Sequence, residues 1–141
     1  CPFAAHIRKM YPRDGAKDPA NNLSEEQIDS HRIIRRGIPF GREVTAVERL
    51  AGKTLEQRGL LFVSYQANLS MGFQFLQQFW ANNVGFPGGH PGVSPGVDPI
   101  IGQNSNDDGR EIEGFNATDQ SAALQLGTKE FVGSSGGEYF F

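Results

Sequence analysis

Gly59-Leu60-Leu61-Phe62-Val63-Ser64-Tyr65-Gln66 carries the clearest strand signal in this 141-residue chain. It is short and apolar on both faces, which predicts a strand central in its sheet. Downstream, Phe73, Leu76 and Trp80 recur at helical spacing beside Phe75 and Phe79. Ser70 is placed to cap that helix, and Asn82-Asn83-Val84-Gly85 stops it. Upstream, His31 to Arg36 reads as a second short strand, closed by the turn residues Gly37-Ile38-Pro39-Phe40-Gly41. Residues 42–57 are charged and lack a clear period, so they read as loop with at most one helical turn. Residues 10–30 form a polar surface excursion in which Ser24 and Gln27 hold the positions of a capping box. From Phe86 to Gly114 the chain is rich in Gly, Pro, Asn and Asp, and only Asp98-Pro99-Ile100-Ile101-Gly102 looks anchored. Short apolar pieces at Leu124–Leu126, Glu130–Val132 and Tyr139–Phe141 are strand-like. Strand, helix and long ordered loops in this order predict an α+β fold.

Composition narrows the partners. A hydrophobic fraction of 38% with 18 Gly and 8 Pro implies one modest core with long loops. The net charge of −3 gives no reason to expect nucleic acid. No apolar run approaches the roughly 20 residues of a membrane span. One cysteine, Cys1, rules out a disulfide within the chain. The opening inside a motif and the abrupt end at Phe140-Phe141 read as a fragment of a larger molecule.

The residues with chemical potential begin at once, in Cys1-Pro2-Phe3-Ala4-Ala5-His6-Ile7-Arg8-Lys9. An imidazole can bind a metal through one nitrogen while its other N–H holds an acceptor. Ala4 and Ala5 would let a flat cofactor approach the backbone, and Arg8 and Lys9 could meet its acidic groups. Taken alone, a histidine beside apolar residues is more often structural. His31 and His90 are the other two histidines. His31 adjoins Arg32 in the expected strand and His90 sits in a Gly/Pro loop, so both read as non-ligating.

A second stretch, His31-Arg32-Ile33-Ile34-Arg35-Arg36-Gly37-Ile38-Pro39-Phe40-Gly41, changes that weighting. With the first nine residues it resembles the C-terminal half of the dye-decolorising peroxidases, a haem enzyme family, and most closely the secreted fungal members. The resemblance continues in the family's order through Arg58–Gln66, Gln78-Phe79-Trp80-Ala81-Asn82-Asn83 and Gly96-Val97-Asp98-Pro99-Ile100-Ile101-Gly102-Gln103. It ends in Gly136-Gly137-Glu138-Tyr139-Phe140-Phe141 and so spans residues 1–141. It implies one ferredoxin-like module of a dimeric α+β barrel, the other module lying in an N-terminal half outside this sequence.

The resemblance also implies roles. His6 matches the ligand to the iron of haem b, and Asp98 matches the acid beneath that imidazole, although an Asp before Pro also simply starts turns. Arg35 matches the distal arginine, whose permanent charge supplies donors where negative charge develops on peroxide. On a strand its neighbour Arg36 points to the opposite face. Leu60 and Phe62 match apolar residues that narrow the peroxide route, and Arg8 joins the cofactor-binding set. Trp80 matches a surface residue oxidised on behalf of dyes too large for a buried haem, while its helical spacing with Leu76 equally fits a core role. Phe40 departs from relatives that carry Tyr there, and Phe is hard to oxidise. The family's acid–base aspartate lies in a Gly-X-X-Asp-Gly motif that this sequence lacks, so the N-terminal half must provide it. The implied activity is one-electron oxidation of dyes and phenolic substrates by hydrogen peroxide. The alternative is a haem-binding or haem-transport module without turnover, which has no need of Arg35. Three glycosylation tripeptides, beginning at Asn22, Asn68 and Asn116, fit a secreted, extracellular protein, although Asn68 also stands where a helix cap is expected.

Overall fold

The computed structural model describes residues 2, 4–12, 23–88, 94–103, 110–112, 116, 118–119, 122–128 and 130–141. Among the described residues, four short α-helices and six short strands, paired only antiparallel, make the expected α+β fold. The chain divides into two compact units. One holds Cys1–Arg32 and Asn68–Phe141, the other Ile33–Ala67.

The second unit is an antiparallel ribbon. β1 (Ile34–Arg35) pairs with β4 (Ser64–Tyr65), and β2 (Ile38–Gly41) pairs with β3 (Arg58–Leu61). Ile34 faces Tyr65 and Ile38 faces Leu61, so one register runs through both pairings. Across the gap between them the Arg36 N–H donates to the Val63 carbonyl at 2.7 Å. The expected single buried strand over 59–66 is therefore two strands, and Leu60, Leu61 and Phe62 are exposed within this chain. The expected turn at 37–41 is instead strand β2, with Pro39 tolerated because a two-stranded ribbon consists of edges. Phe40 lies across Gly59, which sits directly opposite it and has no room for a Cβ. Gly41 closes β2 at φ +100°, where an L side chain is strained.

The turn joining the two arms contains α3 (Ala46–Ala51). Thr45 caps it and Glu48 completes the capping box, while Gly52 ends it in the left-handed region. Glu48 is buried and collects six hydrogen bonds. They come from the Thr45 N–H and hydroxyl, the Leu55 and Glu56 N–H groups, and both terminal nitrogens of Arg58, at 2.7–3.0 Å. Arg58, the first residue of β3, also donates to the Arg42 and Glu43 carbonyls. One ion pair thus fastens the whole turn to the ribbon.

In the first unit, α1 (His6–Lys9) follows the opening residues. α2 (Glu25–Asp29) has the capping box expected of Ser24 and Gln27. His31 is not in a strand: its backbone N–H closes onto Ile28 at the end of α2. The aromatic helix begins later than expected. Gly72, not Ser70, is its N-cap, and after the α-helical turn α4 (Phe73–Phe75) it widens into a π-helix over Leu76–Ala81. In a π-helix the bonds run to the fifth residue, as from the Asn82 N–H to Gln77, which puts Leu76, Trp80 and Ala81 on one buried side. β5 (Arg110–Ile112), within the stretch expected to be loop, pairs with β6 (Leu124–Gly127). Residues 130–132 and 139–141 form no strand. No helix among the described residues is long and apolar enough to cross a membrane.

Candidate functional site

His6 opens α1, and its Nδ1 lies 2.9 and 3.0 Å from the two carboxylate oxygens of Asp98. A carboxylate only accepts, so Nδ1 carries the proton and donates it. Nε2 is then the ring nitrogen with a lone pair for a metal. The His6 side chain is 28% exposed and that of Asp98 not at all, so the carboxylate is sealed while the imidazole reaches an open face. An imidazole so held could ligate a metal through Nε2, with its carboxylate acceptor behind the ring.

Asp98 is held by its own turn. Its Oδ1 accepts the Ile100 and Ile101 N–H groups, each at 2.9 Å, and its carbonyl accepts the Gly102 N–H at 3.0 Å. The turn-forming role of Asp98 and its place behind His6 are therefore both present. Burial pushes the Asp98 carboxyl up, but the hydrogen bonds from His6 and from the Ile101 and Ile100 N–H groups outweigh it and hold the carboxyl below its ordinary range. A Cβ on Gly102 would come within 2.5 Å of the Asp98 carbonyl oxygen, so only glycine closes this turn. Arg110, in β5, grips the same turn: Nη1 donates to the Asp98 and Pro99 carbonyls and Nη2 to that of Gly102.

Lys9 does not reach outward toward an acidic cofactor group. It is 0% exposed, and its ammonium donates to the carbonyls of Asn83 at 2.8 Å, Gly96 at 2.7 Å and Phe86. Burial, opposed by the attraction of Asp98, brings its pKa down to about 8. The expectation for Lys9 differs from its place because three carbonyls from distant positions leave no local trace. Its spacing of three from His6 on one helix was the available signal. Arg8 is partly buried. Arg110 was missed altogether, since it follows a run of Asn and Asp with no periodicity.

In the ribbon, Arg35 pairs with Ser64 and Leu60 with Pro39. Arg35 lies opposite Ser64, and Phe62 and Leu60 stand two and four residues before Ser64, so the common register puts Arg35, Leu60 and Phe62 on one face and Arg36 on the other. Leu60 extends along that face to lie over Gly37. The grouping expected of Arg35, Leu60 and Phe62 is thus compatible with the ribbon they occupy.

Trp80 is not at the surface. It is 3% exposed, stacked on Phe86 at 5.1 Å and set edge-on to His31 at 5.4 Å and Phe75 at 5.6 Å. The π-helical widening turns it inward with Leu76. His31 stacks on Phe75 at 3.5 Å and donates Nδ1–H to the Met71 carbonyl at 2.6 Å, so it is a satisfied core histidine. The Asn68 side chain accepts the Met71 N–H in the turn before the helix and does not cap it, since the N-cap Gly72 has no side-chain partner. Asn116 accepts the N–H and hydroxyl of Thr118. His90 and Asn22 lie outside the described residues.

Residues 8–85 match the family described as Dyp-type peroxidase, C-terminal. The chain belongs to that family, the dye-decolorising peroxidases, and corresponds to their C-terminal portion. It is 52% identical to a dye-decolorizing peroxidase of Exidia glandulosa, covering all of this chain and 25% of the relative. It is 48% identical to dye-decolorizing peroxidase AauDyP1 of Auricularia auricula-judae, covering all of this chain and 27% of the relative. A solved structure of an ancestral D-type dye decolorizing peroxidase superposes with a TM-score of 0.82 at 50% identity, over 93% of this chain and 28% of the other. The fold is the ferredoxin-like α+β class expected from the sequence. The chain spans about a quarter of the length of the relatives it matches.

Proposed function

We propose that residues 1–141 are the haem-binding part of a secreted, extracellular peroxidase, which uses hydrogen peroxide to oxidise dyes and phenolic compounds by one-electron steps. The observation that carries the reading is the bidentate hold of Asp98 on His6 Nδ1, at 2.9 and 3.0 Å, from a fully buried carboxylate. Such a pair fixes the tautomer, aims Nε2 and makes the ring a stronger donor to iron. In this reading His6 ligates the iron of haem b, and Arg8 lies near its acidic groups. When bound, the haem supplies a redox-active iron that exchanges single electrons with peroxide and with reducing substrates.

Each remaining residue acts around that centre. Arg35 offers fixed N–H donors and a permanent positive charge where negative charge gathers on the departing peroxide oxygen. Leu60 and Phe62 share its face of the ribbon and exclude molecules larger than peroxide. The proton must move from the inner to the outer peroxide oxygen, and the aspartate that moves it belongs to the N-terminal portion of the enzyme. Trp80, buried rather than at the surface, serves as an internal relay whose oxidisable indole passes single electrons from bulky donors toward the haem. The ribbon's exposed Ile34, Ile38, Leu60, Leu61 and Phe62 fit a module covered by that N-terminal portion. The glycosylation tripeptides support passage through a secretory route.

The test is the complete enzyme carrying His6→Ala. It is expected to lose the Soret band and to purify without haem. An unchanged Soret spectrum at full occupancy overturns the ligand assignment.

A further inference from the structure

His6 and Lys9 stand at the two ends of α1, three residues apart and thus on one side of the helix. His6 reaches Asp98 directly, and Lys9 reaches the Gly96 carbonyl, two residues before Asp98. The other two Lys9 acceptors, Asn83 and Phe86, lie just beyond the π-helix, whose last residue, Ala81, accepts the Asp98 N–H at 2.7 Å. Two ties therefore run in parallel from one helical turn to one short segment. Three ammonium protons meet three carbonyls, so the head group has no freedom to swing.

The Asp98 turn itself does not need Lys9. Its internal N–H bonds to Asp98 Oδ1 and the grip of Arg110 on three of its carbonyls make it a self-contained piece. What neither provides is its distance from α1. We propose that Lys9 is a positioning residue that sets the length of the His6–Asp98 hydrogen bond and, through it, the donor strength of the imidazole. This rests on the reading of His6 as the haem ligand.

A cation that acted only through its charge would give the opposite sign. Removing positive charge near Asp98 would make that carboxylate pull harder on the Nδ1 proton, favouring ferric iron and lowering the reduction potential. Removing a brace lets Asp98 withdraw, weakens the imidazole as a donor and raises the potential.

The experiment uses the complete haem-loaded protein with Lys9→Met, Asp98→Asn and the double substitution. It reads the ferric/ferrous midpoint potential and the iron–histidine stretching frequency. Positioning predicts that Lys9→Met raises the potential and lowers the frequency, in the direction of Asp98→Asn, and that it adds nothing in the Asp98→Asn background. A lowered potential, or a shift that adds in full to that of Asp98→Asn, overturns the inference while leaving the ligand assignment intact. If Asp98→Asn alone moves neither signal, the proximal pairing fails and this inference with it. Should Lys9→Met not fold, Lys9→Gln, which keeps amide donors on a shorter stem, is read the same way and is expected to shift both signals less.

Discussion

At Trp80 two demands meet in one side chain. Its indole fills the space between Phe86, Phe75 and His31, so Trp80→Ala should cost about 3–5 kcal/mol, as large aromatic truncations in cores do. Trp80→Phe keeps most of the packing and removes the readily oxidised ring. In urea unfolding of the complete enzyme, Trp80→Phe should retain most of the stability that Trp80→Ala loses. If Trp80 is the relay, Trp80→Phe should also lose turnover of bulky dyes while small phenols are still oxidised. Equal loss on both substrates would sink the relay. Burial makes the two substitutions separable, which an exposed tryptophan would not.

Among the elements, the capped turn around α3 responds to acid in a defined direction. Arg58 first, and then the Thr45, Glu56 and Leu55 N–H groups, hold the Glu48 carboxyl far below its ordinary value of 4.5. In the unfolded chain that carboxyl titrates near the ordinary value, so below it the unfolded state takes up a proton that the folded state refuses. The stability contributed by Glu48 is therefore complete above the ordinary value and is lost as pH falls below it. Glu48→Gln should lower the melting temperature at neutral pH and flatten the fall in stability between about pH 5 and pH 3. A mutant curve parallel to that of the parent would contradict this. The box that positions Glu48 was legible as Thr45-X-X-Glu48, as plainly as Ser24-X-X-Gln27, but the surrounding charge hid it. Periodicity located the aromatic helix yet missed its π-helical widening, because Phe73, Leu76 and Trp80 also fit the ordinary α-helical period and no residue type marks the change. The break in the 59–66 strand was not legible. An apolar run reads as buried whether its cover lies inside or outside the chain. At the site, resemblance identified His6 and Asp98 because their motifs are local in sequence, whereas Lys9 and Arg110 bind backbone carbonyls, which no residue pattern encodes.

For the molecule as a whole, the ribbon presents Ile34, Ile38, Leu61 and Tyr65 to solvent at more than half of their full exposure. Apolar area gathered in this way drives association when left bare. The chain produced alone should bind a hydrophobic dye such as ANS and self-associate, and co-production with the N-terminal portion should suppress both and restore a Soret band. A monodisperse, ANS-silent isolated chain would show that this surface needs no cover. The ribbon also leaves and re-enters the rest of the chain through neighbouring residues, since Ile34 lies opposite Tyr65 at its open end. Its borders at Ile33 and Ala67 make it a natural cassette for recombination. If Arg35, Leu60 and Phe62 act on peroxide and His6 on iron as proposed, exchanging that cassette between relatives should change selectivity for the oxidant while leaving the reduction potential as it was, so the two properties could be bred independently.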